Sequence, residues 1–335
     1  MGRNGIISAG NWLVDTVKTI DAFPAQGNLT TIRHIDTGLG GCSHNVLADI
    51  AGMKTGIPLY AGGYVGNDEN GRYVLSEIRR LGIDGKFMHI SDEVQTSYTD
   101  VMSEAGGKKT RTFFHFRGAN ALLSPEDIMG MDCNAKIFHL GYLLLLDKLD
   151  AEDPDFGTGA ARALHGLQEK GYLTSVDLVS EESDRFRKIV SPCLKYIDFL
   201  IINEIEAGAI CCRNLRGENG EILLEDVKAC ADELINAGVR NSCIIHFPEG
   251  GFAMDKDGNR CFCPSVKAER GEIVSTVGAG DAFCAGMLVA LHEEMPLDEA
   301  LKIANASARF NLSSPTSTGG APDMQTIMNF IKENY

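Results

Sequence analysis

No apolar run in this chain approaches the roughly 18 residues needed to span a bilayer. The opening stretch MGRNGIISAGNWLVD has no long apolar segment followed by a cleavage site. A membrane protein and a secreted one are therefore not expected, and a cytoplasmic one is. Positive charge is also scarce, with 31 Lys and Arg against 46 Asp and Glu, a formal net charge of −15. Such a surface repels phosphate backbones and anionic lipid, which argues against nucleic acid and membrane as partners. An anionic substrate would need a locally positive pocket against that field. The ten cysteines are too sparse for a disulfide scaffold and read as reduced thiols packed as small hydrophobes. They form no CxxC pair, and no His-x3-5-His follows a cysteine pair, so structural zinc has little support. Two phosphate motifs are missing as well. GxxxxGK[ST] fails because Lys109 follows Gly107-Lys108, and GxGxxG fails because Phe283 stands where its third glycine belongs.

What is present is an ordinary globular composition, 44% hydrophobic and 23% charged over 335 residues. A chain of that length buries about three quarters of its unfolded surface and needs no staple. Short apolar runs alternate with helix-period segments almost from end to end. Strands are expected at Ile6-Ile7, Leu59–Gly62, Ile137–Leu146, Leu173–Leu178, Phe199–Ile202, Cys243–Phe247 and Gly271–Ser275. Helices are expected at Val46–Met53, Glu69–Leu81, Ala160–Lys170, Leu224–Ala237, Asp281–Glu293 and Leu297–Leu312. That alternation predicts an α/β fold, a mostly parallel sheet with helices on both faces. Residues 17–37 and 95–117 break the rhythm: they alternate polar with apolar residues, and the second is divided by Gly106-Gly107, a hairpin signal. They are read as strands of a small sheet appended to one domain of residues 1–335, serving as a lid or as a dimer interface.

The strongest chemical signal is STVGAGDAFCAGMLVAL, residues 275–291. An expected strand leads into Gly278-Ala279-Gly280, and Asp281 opens an apolar helix. Small residues let the backbone N–H groups of that turn face outward with the helix dipole, a site for developing negative charge. Asp281 is placed to accept a proton from an incoming hydroxyl; a plain N-cap is the alternative. The second signal is GLGGCSHNVLADIAG, residues 38–52. Gly40-Gly41 lets the chain approach a ligand, Asn45 offers an amide to hydroxyls, and Asp15 offers a bidentate acceptor; turn chemistry is the alternative for each.

With these residues in order, the chain resembles the PfkB/ribokinase family of carbohydrate kinases. The resemblance rests on Asp15, the GG…N segment at Gly40, Gly41 and Asn45, the NxxE of Asn203 to Glu206, and GAGD at Gly278 to Asp281. It implies a ribokinase-like, Rossmann-type domain with a β lid that moves the γ-phosphoryl of ATP to a hydroxyl of a small carbohydrate. Asp281 then falls on the catalytic base, with Gly278, Ala279 and Gly280 as the anion hole. Asp15, Gly40, Gly41 and Asn45 fall on sugar-binding positions. Apart from the resemblance, Arg117, where the lid returns to the domain, is either an exposed hairpin cation or a residue that meets a substrate anion. Asn203 and Glu206 fall on the positions that organise phosphate and Mg²⁺, Glu206 through water. His246, Pro248 and Gly251 lie in the nucleotide loop, and Asn305 where the family contacts adenine. Three departures stand out. His246-Phe247-Pro248 replaces a Thr-Leu-Gly-like loop. Ser275 stands where an aspartate helps hold a monovalent cation, which leaves K⁺ activation open. Tyr142 and Leu143 occupy the neighbourhood of a sugar-binding glutamate. Trp12, three residues before Asp15, either stacks on the substrate or packs under the lid, and His44 is either a helix-surface residue or a ligand. A nucleoside kinase and a non-catalytic sugar-binding protein remain the alternatives, and a homodimer through the lid is the expected partner beyond carbohydrate and ATP.

Overall fold

The computed structural model describes residues 2–105, 111–179, 185–269 and 271–335. The chain begins with β1 (Ile6–Gly10), β2 (Leu13–Ile20), β3 (Ile32–Gly40), α1 (Cys42–Met53), β4 (Leu59–Gly66), α2 (Glu69–Arg80) and β5 (Asp84–Ser91). Next come β6 (Ser97–Glu104), β7 (Arg111–Phe116), α3 (Pro125–Gly130), β8 (Ile137–Leu143), α4 (Asp147–Asp150), β9 (Glu152–Asp153), β10 (Gly157–Thr158) and α5 (Gly159–Glu169). Then follow β11 (Leu173–Leu178), α6 (Phe186–Val190), β12 (Phe199–Asn203), α7 (Glu204–Cys211) and α8 (Leu224–Asn236). The chain finishes with β13 (Ser242–Phe247), β14 (Gly250–Asp255), β15 (Arg260–Pro264), α9 (Ala279–His292), α10 (Leu297–Asn311) and α11 (Met324–Asn334).

Nine strands form one sheet in the order β15-β14-β13-β12-β11-β8-β1-β4-β5. From β13 to β5 every pairing is parallel, and β14 and β15 close one edge antiparallel. Successive strand residues point to opposite faces, and the two cores divide accordingly. Ile7, Phe138, Leu140, Leu200, Ile202 and Ile245 face α3, α5, α7 and α8 on one side. Ile6, Ile137, Phe199, Ile201 and Ile244 face α1, α9, α10 and α11 on the other. Strands buried on both faces read as continuous apolar runs, which is why they were visible in the sequence.

The small sheet is four-stranded, β3-β2-β6-β7. Both lid segments are strands as expected, but the first starts earlier: β2 opens at Leu13, and β3 runs on to Gly40. Asp15 is therefore a lid residue and not the end of a main-sheet strand. The turn around Gly106-Gly107 lies outside the described residues.

Four local readings are corrected. Residues 271–275 form no strand: Val274 and Ser275 both direct N–H groups at the one carbonyl of Leu312, and the Ser275 hydroxyl accepts the N–H of Val277, so no ladder can run. The strand from Ile137 stops at Leu143, because Tyr142 (φ 58°) and Leu144 (φ 82°) adopt left-handed backbone. Helix α1 begins at Cys42 rather than Val46, and α9 at Ala279 rather than Asp281. Among the described residues no helix is long and apolar enough to cross a membrane, and all ten cysteines are free thiols.

Candidate active site

The neighbours of β1 are β8 on one side and β4 on the other, so chain order reverses there. In an open parallel sheet such a switch point leaves a crevice at the carboxyl ends of the strands. The sequence motifs converge on that crevice.

Helix α9 starts there. Its N-cap is Gly278, at φ 80°, and a Cβ on Gly278 would lie 2.2 Å from the Ser317 carbonyl oxygen. Only glycine fits; the Ala279 N–H turns back to the Thr276 carbonyl at 3.4 Å, while the next N–H groups of the first helical turn have no carbonyl of their own helix to reach. Asp281 is the third helical residue and makes no cap, which removes the N-cap reading. Its carboxylate accepts from Asn45 Nδ2 at 2.8 Å and from the Tyr142 hydroxyl at 3.2 Å. Burial raises its pKa, and the donors Asn45, Tyr142 and Cys42 oppose that rise.

The lid supplies the facing wall. Asp15 pairs with Thr99, and Thr99 with His115, so the three stand in one cross-strand row. Burial lifts the Asp15 carboxyl to about 6; a hydrogen bond from Thr99 opposes the rise and the Asp281 charge adds to it. Gly40 packs against that carboxylate so tightly that a Cβ would fall 2.1 Å from Oδ2. Gly41 is the N-cap of α1. Asn45, one turn along, accepts from Ser317 Oγ at 3.1 Å while it donates to Asp281. His115 holds Thr99 Oγ1 through Nδ1 at 3.1 Å, and its buried Nε2 has no partner among the described residues.

Across the crevice, Asn203 and Glu206 form a reciprocal capping box on α7. Asn203 Oδ1 accepts the N–H of Glu206 at 2.9 Å, and Glu206 Oε2 accepts the N–H of Asn203 at 3.0 Å. Glu206 is only 2% exposed. Arg216 ties this helix to the neighbouring hairpin, bonding Glu204 at 2.5 Å and Glu249 at 2.6 Å.

The expected nucleotide loop is a tight hairpin. Phe247 pairs with Gly250, leaving only Pro248 and Glu249 in the turn. His246 and Gly251 pair with each other inside the strands. The His246 ring lies on Phe283 at 4.8 Å, and a Cβ on Gly280 would be 3.3 Å from its Cε1. Burial lowers its pKa to about 4, so the imidazole is neutral. Asn305 donates to the Cys263 carbonyl at 3.0 Å and pins α10 to β15.

Arg117 is held by Asp147 at 2.6 Å and reaches the Leu144 carbonyl. Trp12 does not stack on a ligand. It is fully buried under the lid, its indole N–H donating to the Gly62 carbonyl at 2.8 Å. His44 is neither on the surface nor placed as a free ligand; it packs edge-on to Trp12 and bonds Asn45 Oδ1 at 3.0 Å.

Residues with no motif complete the crevice. Asp177, at the end of β11, is 7% exposed, and burial and the charges of Glu206 and Asp281 push its carboxyl well up. Tyr142 touches Asp281 from a left-handed backbone, a strained conformation for a bulky residue. His115 and Thr99 are spaced like any strand residues. Only a polar residue at an apolar strand's carboxyl end, as in SVDL, hinted at Asp177.

The chain matches the model for the pfkB family of carbohydrate kinases over residues 6–324. It is 25% identical over 333 residues to the ATP-dependent ribose-1-phosphate kinase of Halopiger xanaduensis, covering 98% of this chain and 99% of that one. It is 23% identical over 345 residues to fructokinase-1 of Zea mays, covering 99% of each. The ribokinase of Arabidopsis thaliana, solved with ribose and ATP, superposes with a TM-score of 0.80 at 19% identity over 99% of both chains.

Proposed function

The chain belongs to the pfkB family of carbohydrate kinases, and from that membership we propose that it transfers the γ-phosphoryl group of ATP to a hydroxyl of a small carbohydrate, with Asp281 as base. The observation that carries this reading is the head of α9. A buried carboxylate, oriented by Asn45 and Tyr142, sits in the first turn of a helix whose leading N–H groups have no carbonyl of that helix to reach. Phosphoryl transfer asks for in-line positioning and for stabilisation of charge spread over the phosphate oxygens. Gly278, Ala279 and Gly280 supply the second, and Asp281 takes the hydroxyl proton.

Asp15, Gly40, Gly41 and Asn45 bind the sugar, joined by Thr99 and by Nε2 of His115. Arg117 stays with Asp147 and shapes the lid's base. His246, Pro248, Gly251 and Asn305 form the nucleotide wall. Glu206 and Asp281 each repel Asp177 electrostatically, and such hard oxygen donors suit Mg²⁺. Glu206 and Asn203 would hold the ion through water, with Asp177 beside them; when bound, Mg²⁺ neutralises charge on the phosphate oxygens. The four-stranded sheet closes over the sugar and keeps water from the phosphoryl group. We take residues 1–335 as one kinase domain with the lid inserted, dimerising through it.

Incubation with ATP and Mg²⁺ and a panel of pentoses, hexoses, sugar phosphates, sugar acids and nucleosides, read by ADP release, tests the reading. Turnover on a carbohydrate is expected. Turnover confined to nucleosides would move the chain to the nucleoside branch, for which a Trp12 stack on the base offers no support. Binding without ADP formation anywhere would replace catalysis by a sugar-binding role.

A further inference from the structure

Directly beneath Asp281 lies a group of side chains of which the proposed transfer calls only on Asp177. Cys42 is the first residue of α1, His139 lies in β8, Asp177 ends β11, and Cys284 lies one turn into α9. Cys42 and His139 are wholly buried and Cys284 nearly so, and Asp177 alone has an edge on the crevice. One donor atom from each of Cys42, His139 and Asp177 falls within a 4.8 Å span. Cys42 Sγ is 3.3 Å from His139 Nε2 and 3.4 Å from Asp177 Oδ2, and Cys284 Sγ is 3.9 Å from the same Nε2.

The two separations from Cys42 Sγ match edges of a coordination tetrahedron, and Cys284, which lies outside the 4.8 Å group, has to turn inward to complete it. Zinc bonds of about 2.3 Å to sulfur and about 2.0–2.1 Å to nitrogen or oxygen place neighbouring ligands roughly 3.3–3.8 Å apart. The supporting contacts fit as well. His139 Nδ1 meets Ser175 Oγ at 3.1 Å, while Nε2 faces two thiols. Thiols donate, so Nε2 carries the lone pair and Nδ1–H goes to serine, the arrangement that orients a metal-binding imidazole. Asp177 Oδ1 is held by the N–H of Leu178 at 2.7 Å, which leaves Oδ2 turned to the group. Burial and the charges of Asp177 and Asp281 push the Cys42 thiol well up, so the thiolate forms only with a cation beside it, where the N-terminus of α1 also favours it.

We propose that Cys42, His139, Asp177 and Cys284 form a binding site for one thiophilic divalent cation of the Zn²⁺ class, entered from the crevice past Asp177, and that occupancy slows the kinase. Two thiols and a carboxyl release their protons to solvent as the ion binds. Cys42 acts on Asp281 electrostatically. A cation held beside it favours the charged carboxylate of Asp281 and makes it a weaker base. The slowing rests on the kinase reading above; the metal site does not. Sulfur ligands select this class of ion over Mg²⁺.

The test uses the full chain without nucleotide. Titration with Cd²⁺ should give thiolate-to-cadmium absorption saturating at one equivalent in wild type and in Cys212→Ala, whose thiol is exposed, and should lose that phase in Cys284→Ala. X-ray absorption of the Zn²⁺-loaded wild type should show two sulfur ligands at about 2.3 Å with two nitrogen or oxygen ligands at about 2.0–2.1 Å. A shell of nitrogen and oxygen alone, or an unchanged Cd²⁺ phase in Cys284→Ala, overturns the site, and the wild-type spectrum decides even if that variant fails to fold. With a substrate from the panel, one equivalent of Zn²⁺ should lower turnover at least several-fold, reversibly on chelation. Cys284→Ala should turn over near the wild-type rate and ignore Zn²⁺. Unchanged turnover by the loaded wild type would overturn the slowing while leaving the site in place.

Discussion

At the scale of single residues, the crevice is a set of acids whose charges oppose one another. Asp281 is expected to be indispensable for chemistry and dispensable for folding. Asn at 281 keeps an oxygen for Asn45 and an amide for the Tyr142 hydroxyl, so stability should move by no more than about 1 kcal/mol. It cannot take a proton, and loss of a general base typically lowers turnover by about 10²–10⁴-fold. Steady-state kinetics with equilibrium binding should show that fall in kcat with sugar and nucleotide affinities within a few-fold; near-normal turnover would refute the assignment. Asp15 carries the opposite signature. Its carboxyl is lifted by burial from 3.8 to about 6, so the folded chain prefers the protonated form. The stability it contributes is fully present below about pH 3.8 and is lost as pH rises through 6. Asp15→Asn should therefore stabilise the ligand-free protein at pH 8 by up to about 3 kcal/mol, taking about 1.36 kcal/mol per pKa unit. Urea midpoints should show that advantage shrinking towards pH 4 while sugar affinity falls at every pH. An advantage independent of pH would remove Asp15 from the desolvated wall.

At the scale of elements, function is concentrated where strands stop and helices start. The NxxE segment is a capping box that also carries the carboxylate proposed to face the ion: Glu206 closes the first turn of α7 and acts electrostatically on Asp177. Gln closes a capping box as Glu does. Glu206→Gln should then melt close to wild type yet need several-fold more Mg²⁺ for half-maximal rate; an unchanged Mg²⁺ dependence would take Glu206 out of the site. The β13–β14 hairpin explains the departure at His246-Phe247-Pro248. Pro248 sits in the two-residue turn, where no ladder hydrogen bond is required of it, and His246 fills the space between Gly280 and Phe283. The left-handed Tyr142 ends β8 and brings its hydroxyl to Asp281, and its carbonyl accepts from Asn11, which in turn holds Asn120 at the root of the lid. The lid is thus joined to the crevice through buried amides.

At the scale of the whole molecule, the lid has two faces. The pleat puts Asp15, Thr99 and His115 on one and Ile35 and Phe114 on the other, and the last two are 56% exposed. Exposed apolar residues on a sheet with open edges suit a second copy of the chain. Sedimentation should show a dimer, and Ile35→Asp with Phe114→Asp should give a folded monomer; a wild-type monomer at micromolar concentration would exclude the lid as the interface.

The order of βα units, the two-faced burial of the central strands and the GAGD, GG…N and NxxE motifs were legible in the sequence, because each depends on neighbours within a few residues. Periodicity reports burial directly, and a tight turn before a helix demands small residues whatever surrounds it. Residues 271–275 misled because their apolar composition satisfied the strand pattern while the N–H groups of Val274 and Ser275 were committed to Leu312 and that of Glu272 to Glu269. Tertiary structure alone decided the rest. It turned Trp12 into the lid's core, placed Asp15 on the lid, set His115 beside Thr99, and gathered Cys42, His139, Asp177 and Cys284 from four separate elements under Asp281. Those positions are separated by tens of residues and carry no shared period or spacing, so only the packing of parallel strand ends against two helix N-termini brings their side chains within bonding distance.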